Sequence, residues 1–200
     1  MDNAASLPLM LSGCRVLDFT QYLAGPTVTR LIAELGAHII KVEQAPMGDP
    51  ARLLPFIKNG RSAYFVQQNR GKKSLCLDFN QPEALDLLRS VVKTVDVVVE
   101  NYGPCVMEKR ALDYASLKKI NPRLIMVSVS AFGRNSPLSH RVGYDLIAQA
   151  FSGIMHMTGE SQGPPQFVGL ETTFLLVPDL IIPWSVPVAL LRGRRDGLLS

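Results

Sequence analysis

Long runs of any one kind are missing from this chain, and each gap removes a class of function. The longest late uncharged stretch, residues 180 to 191, is twelve residues long and holds Pro183 and Pro187, whereas a membrane helix needs roughly 20 apolar residues. No membrane span is expected. Cysteine is scarce: Cys14, Cys76 and Cys105 are odd in number and far apart, without the paired spacing of a zinc site or a disulfide framework. We therefore expect no metal, and a reducing compartment. The basic excess is small, 21 Lys and Arg against 17 Asp and Glu, and it is scattered without aromatic interleaving, which argues against a nucleic-acid partner. A formal charge of +4 suits a small anionic ligand. The opening residues carry Asp2 and no arginine before Arg15, so they read poorly as a signal or transit peptide. The expectation is cytoplasmic, with mitochondrion or peroxisome as alternatives. No internal repeat stands out.

What is present is a globular composition, 47% hydrophobic and 19% charged, suited to a single domain with a real core. Residues 14 to 20 form a short apolar run ending in polar residues, as a buried parallel strand does. Gly25-Pro26 punctuates, and Val28, Leu31, Ile32 and Leu35 then fall at helical spacing before Gly36. Residues 37 to 43 read as a second strand. After a Pro- and Gly-rich excursion over 44 to 73, the pattern returns. Strands are predicted over 74–79, 96–100 and 123–129, the last buried on both faces, with a helix over 81–95 and helical pieces near 106–110 and 114–120. A helix opens at Gly143 and runs on to Met155. Strands alternating with helices argue an α/β fold with a doubly wound parallel sheet. Its ligand crevice should lie beyond the carboxyl ends of the strands.

Several short phrases sit where such a crevice would form. Leu23-Ala24-Gly25-Pro26 occupies a strand-to-helix turn, where glycine lets the backbone approach a ligand and helix amides face anions. Arg70, Lys72 and Lys73 fall within Asn69-Arg70-Gly71-Lys72-Lys73-Ser74. That loop reads either as a solvated turn or as a phosphate-binding cluster. Val99-Glu100-Asn101-Tyr102 ends a buried strand at the ligand edge. Asn101 either contacts a ligand or caps the turn that follows it. Gly143-Tyr144-Asp145 opens a helix that Asp145 would charge favourably.

These phrases, with Asn121-Pro122-Arg123-Leu124-Ile125 and the Thr158 to Pro165 stretch, resemble in order and spacing the family III CoA-transferases, the CaiB/BaiF family. The resemblance covers residues 12 to 170 and leaves 171 to 200 as a divergent segment. It implies a Rossmann-like large domain and transfer of CoA between carboxylic acids through an aspartyl intermediate. CoA thioesters and small carboxylic acids would be the ligands, CoA being a substrate rather than a cofactor, and the full-length assembly a homodimer. It assigns Tyr22, Leu23, Ala24 and Asn101 to the CoA site, and Arg70, Lys72 and Lys73 to the CoA phosphates. Leu23 stands where formyl-CoA transferases often have a polar residue, which counts against formate or oxalate. Tyr144 takes the place of a histidine base in the family's racemases, which favours transfer over proton abstraction. Cys105 stands where the family phrase usually has glycine, and it reads as a passive thiol.

The resemblance fails at the nucleophile. Counting on from Val168-Gly169, the register of the family's aspartate falls on Phe174, a ring with nothing to attack a thioester. Glu171 and Asp179 are the nearest carboxylates, and a one-residue slip turns a helical side chain by about 100°. Pro178, Pro183 and Pro187 also conflict with the continuous helix implied there. At 200 residues the chain would hold only the front half of the family's design. The readings left open are a transferase, an acyl-CoA racemase and a non-catalytic CoA-binding module.

Overall fold

Short strands, several of them with an apolar centre, build the sheet of the computed structural model, which describes residues 8–169, 185–187 and 189–190. β1 (Arg15–Asp18), β2 (His38–Gln44), β5 (Lys73–Leu77), β6 (Val97–Glu100) and β7 (Ile125–Ser128) form one sheet in the order β5-β2-β1-β6-β7. Every pairing in it is parallel. β1 and β2 are joined by α1 (Ala24–Glu34), and β5 and β6 by α3 (Pro82–Val92). The chain therefore winds one way from β1 and returns past it on the other side. The switch point is the gap between β1 and β6.

Each face of the sheet buries its own apolar layer, as a doubly wound sheet must. Val28 and Ile32 of α1 pack with Val16, Ile39, Val97 and Val99. Val186, described within 185–187, is buried in this same layer. Opposite, Leu88 and Val92 of α3 and Leu117 of α4 (Tyr114–Ile120) meet Leu17, Val42 and Val98. α3 carries Pro82 at its start, Glu83 in its first turn and Arg89 in its last, which suits both the missing N–H and the helix dipole. The expected α/β parallel fold is what the chain adopts.

Three details differ from the sequence expectation. The excursion over 44 to 73 is structured. It holds a hairpin of β3 (Ile57–Lys58) and β4 (Arg61–Ser62) around Asn59-Gly60, both at positive φ, and then α2 (Ala63–Asn69) capped by Ser62. Asn-Gly supplies the two left-handed conformations a tight hairpin needs. β7 is an edge strand and half-buried along its length, not enclosed on both faces. The helix opening near Gly143 is broken: Gly153, at φ 80°, separates α5 (Asp145–Ser152) from α6 (Ile154–Met157).

Candidate functional site

A cleft of about 960 Å³ opens at the carboxyl ends of β1, β6 and β7, over the switch point. Gln21 to Ala24 form one wall, the segment from Asn101 to Cys105 another, and residues 139 to 145 a strap across the rim. This is where a doubly wound sheet parts its connections and leaves room for a ligand. The starts of α1 and α5 both line it. Neither helix has a side-chain cap at its N-terminus, and α1 has no acidic residue in its first turn. A first turn like that of α1, with no side-chain cap and no acidic residue, favours an anion.

The two walls are tied to each other by one side chain. Asn101 Oδ1 accepts from the Gln21 amide at 2.7 Å, and its Nδ2 donates to the Gln21 carbonyl at 2.8 Å. Asn101 thus continues the β1–β6 ladder past its last strand residues and holds the turn that carries Tyr22, Leu23 and Ala24. Gly25 explains the tightness of that turn. A Cβ there would sit 2.5 Å from Thr20 Cβ and 3.2 Å from Asn101 Cγ, so no side chain fits. Tyr22 adopts φ 62°, and its amide donates to Asp49. Burial pushes the Tyr102 hydroxyl up to about 12 despite a hydrogen bond with Gln21 and the charge of Arg110. The ring is a neutral part of the wall.

Beneath the turn lies a buried set of ion pairs. Asp18, fully buried at the end of β1, accepts from Thr20, from Thr29 and from Lys72 Nζ at 3.0 Å. Burial pushes the Asp18 carboxyl up, but Lys72, Lys41 and the two hydroxyls outweigh it and hold it below the usual range. Lys41 Nζ sits 2.9 Å from Asp49 and donates to the Thr20 carbonyl at 2.6 Å. Glu43 accepts both Arg52 nitrogens at 2.7 Å, together with Ser74 Oγ and the Asp49 amide. Although burial raises it, those bonds bring Glu43 down to about 2. Buried charges are tolerated only when paired and bonded in this way.

The residues singled out from the sequence separate into two groups. Tyr22, Leu23, Ala24, Asn101 and Tyr144 all line the cleft, and Tyr144 is largely exposed at the N-cap of α5. Arg70, Lys72 and Lys73 do not come together there. Arg70 pairs with Glu34 at 2.6 Å. Lys73 begins the edge strand β5. The Lys72 ammonium is enclosed, donating to Asp18, Thr29, Asn69 and the Pro26 carbonyl. Burial lowers Lys72 to about 8 against the pull of Asp18. Its protons are spent inside the fold. Glu171, Phe174 and Asp179 lie outside the described residues. Cys105 lines the cleft at φ 65°, a conformation glycine holds without strain, which accounts for the glycine expected there.

Sequence reasoning missed the cleft's other charged groups. Arg134 reaches Glu100 at 2.5 Å and Glu108 at 3.0 Å, bridging the end of β6 to the turn beyond it. His140 and Arg141 lie on the strap. Asp18, Lys41 and Glu43 carried a readable signal, since charges inside otherwise apolar strands must find partners. Arg134 and Arg141 carried none.

Residues 11–198 match the pattern of CoA-transferase family III. The chain belongs to that family. Its relatives include succinyl-CoA:glutarate CoA-transferase of Mus musculus, 39% identical over 94% of this chain and 43% of the mouse protein. Succinyl-CoA:mesaconate CoA-transferase of Haloarcula hispanica is 45% identical over 80% of this chain and 42% of its own length. Among solved structures, a CAIB/BAIF family protein from Brucella suis superimposes with TM-score 0.88 at 38% identity, over 96% of this chain and 51% of that one. The chain thus spans about half the length of these family III relatives. Among the described residues no helix is long and apolar enough to cross a membrane, and no group of three or more His, Cys, Asp or Glu is placed to hold a metal.

Proposed function

We propose that the chain forms the CoA-binding half of a CoA-transferase, with the thioester bound in the cleft over the switch point. The observation that carries this reading is the cleft itself: a Gly25 turn packed too tightly for a side chain, clamped by Asn101, and the uncapped start of α1 beside it. Tyr22, Leu23 and Ala24 would line the nucleotide, with first-turn amides facing its phosphates. Lys72 is a strut beneath that turn. Small carboxylic acids are the acyl groups, dicarboxylic ones in particular, since relatives are named for glutarate, mesaconate and oxalate. Leu23 argues against oxalate for this chain. A second copy of the chain is the proposed partner, and the cytosol the proposed site of action. Residues 12–170 are proposed as the CoA-transferase N-terminal domain and 171–200 as a divergent C-terminal segment, one residue of which, Val186, packs into the core.

Transfer through a covalent intermediate requires a carboxylate oxygen to attack the thioester carbonyl. The C–S bond breaks, CoA leaves as a thiolate and the acyl group stays on the protein as an anhydride. Phe174 in the expected register favours a second reading, a CoA-binding module that does not turn over. Tyr144 disfavours a racemase, because a phenol is a poor proton acceptor near neutral pH.

One experiment separates the two readings. The chain is incubated with succinyl-CoA and hydroxylamine, which converts an activated carboxylate to a hydroxamate, and its intact mass is recorded beside a calorimetric CoA titration. A hydroxamate on Glu171 or Asp179 establishes transfer. Binding without a label establishes the binding module, and no binding at millimolar CoA removes both.

A further inference from the structure

Among the described residues two guanidinium groups line the cleft, Arg134 and Arg141, and of these Arg134 is committed. Arg134 is held between Glu100 and Glu108. Asp145, another carboxylate on the cleft wall, is bonded to Gln149. Arg141 is exposed, and among the described residues its side chain has no hydrogen bond or ion pair. Its backbone is nonetheless firmly seated. The Arg141 amide donates to the Leu138 carbonyl at 2.9 Å. A Cβ on Gly143 would sit 2.9 Å from Ala131 Cβ, and one on Gly103 would sit 3.3 Å from Val142 Cγ1. The strap is therefore wedged between the segments that follow β6 and β7, and it presents Arg141 to the cleft from a fixed base.

We propose that Arg141 reads the free carboxylate of a dicarboxylic acyl group, and so sets the preference for dicarboxylic over monocarboxylic thioesters. This rests on the CoA-thioester reading above. A planar guanidinium offers two parallel donors that match a carboxylate. Within a cleft, that pair is less screened than on an open surface. Tyr144, three residues along the strap, stands beside the same space and bounds it with a neutral ring.

The test uses the full 200-residue chain and calorimetric affinities for CoA, butyryl-CoA and succinyl-CoA, the last two differing by a terminal carboxylate. The wild-type chain is expected to bind succinyl-CoA about tenfold more tightly than butyryl-CoA, the range of a partly enclosed charged hydrogen bond. Arg141→Gln should abolish that preference while leaving CoA and butyryl-CoA within about twofold, and Arg141→Lys should restore part of it. Because the side chain bonds to nothing else, the melting temperature should not move. An equal loss for all three ligands would show a phosphate contact and overturn the proposal. So would a preference that survives Arg141→Gln, or no preference in the wild-type chain. Absence of CoA binding altogether would instead overturn the reading of the cleft, and this inference with it.

Discussion

Replacing Lys72 by Met separates a strut from a ligand contact. The substitution keeps most of the side-chain volume and removes the charge. Asp18 would keep its bonds from the Thr20 amide at 2.8 Å, the Thr20 hydroxyl at 2.5 Å and the Thr29 hydroxyl at 2.7 Å. It would lose the ammonium at 3.0 Å while remaining fully buried. Breaking a buried pair from one side costs about 3–5 kcal/mol, and the three remaining donors place this case near about 3 kcal/mol. For a chain of this size that lowers the melting temperature by about 6–12 °C. The loss should be nearly independent of salt, because the pair is shielded from solvent. Adding Asp18→Asn removes the stranded charge and should recover about half of the loss. The assays are thermal melts at low and high salt, with CoA titrated well below the transition. A strut predicts CoA affinity within about twofold of the wild type. An unchanged melting temperature with a tenfold loss of CoA affinity would refute the reasoning and return Lys72 to the phosphates.

Asn101→Ala leaves the Gln21 amide and carbonyl without their partners; a loss of about 1–3 kcal/mol and weaker CoA binding are expected in urea melts and calorimetry. Gly25→Ala forces a Cβ to 2.5 Å from Thr20. An overpacking cost of about 1–3 kcal/mol should appear in the same melts, with a loss of CoA affinity as the turn shifts. Glu43 is held at about 2 in the fold against an ordinary 4.5. Its contribution is therefore complete above pH 4.5 and lost as the pH falls toward 2. Allowing for Arg52 being 39% exposed, that is about 2 kcal/mol, and urea midpoints followed across this range should lose the step in Arg52→Gln.

The sheet was legible because its signals are local. Val97-Val98-Val99 can only be a buried strand, and Val28 and Ile32 one turn apart can only face a core. The Gly25 turn and Asn101 were legible as cleft residues because strand ends in such a fold are ligand edges. What escaped was long-range pairing. Arg70, Lys72 and Lys73 look alike in sequence, yet Arg70 pairs with Glu34, 36 residues away, and Lys72 with Asp18, 54 residues away. No spacing rule reveals those contacts. The edge position of β7 was equally hidden, because an apolar strand reads the same whether one neighbour covers it or two. The short α2 was hidden by its polar composition, with Gln67, Gln68 and Asn69 masking one helical turn.

The charges of this molecule fall into two layers, and the division bears on where its chemistry must originate. Under the switch point, Asp18, Lys41, Glu43, Asp49, Arg52 and Lys72 neutralise one another and fix the strand ends. Above it, the cleft wall offers helix amides, Tyr144 and Arg141, groups that bind and orient, together with the Cys105 thiol and the Glu108 carboxylate, the latter paired with Arg134. Asp145, the carboxylate at the end of the strap, is engaged by Gln149. On the transferase reading proposed above, the candidate nucleophiles Glu171 and Asp179 lie in sequence beyond Gly169. A clip precedes them: the buried Gln149 accepts from the Val168 amide at 2.9 Å, and the Gln166 amide donates to the Met155 carbonyl at 3.0 Å. That clip fixes Val168 at the cleft edge, three residues before Glu171 and eleven before Asp179 in sequence. Counted along the sequence, Glu171 is the carboxylate nearer this anchor, and a shorter tether costs less entropy to close than a longer one. A carboxylate held loosely forfeits most of the advantage of an intramolecular attack, so on the transferase reading proposed above tether length favours Glu171 over Asp179, while Phe174 marks the register that the family resemblance implies.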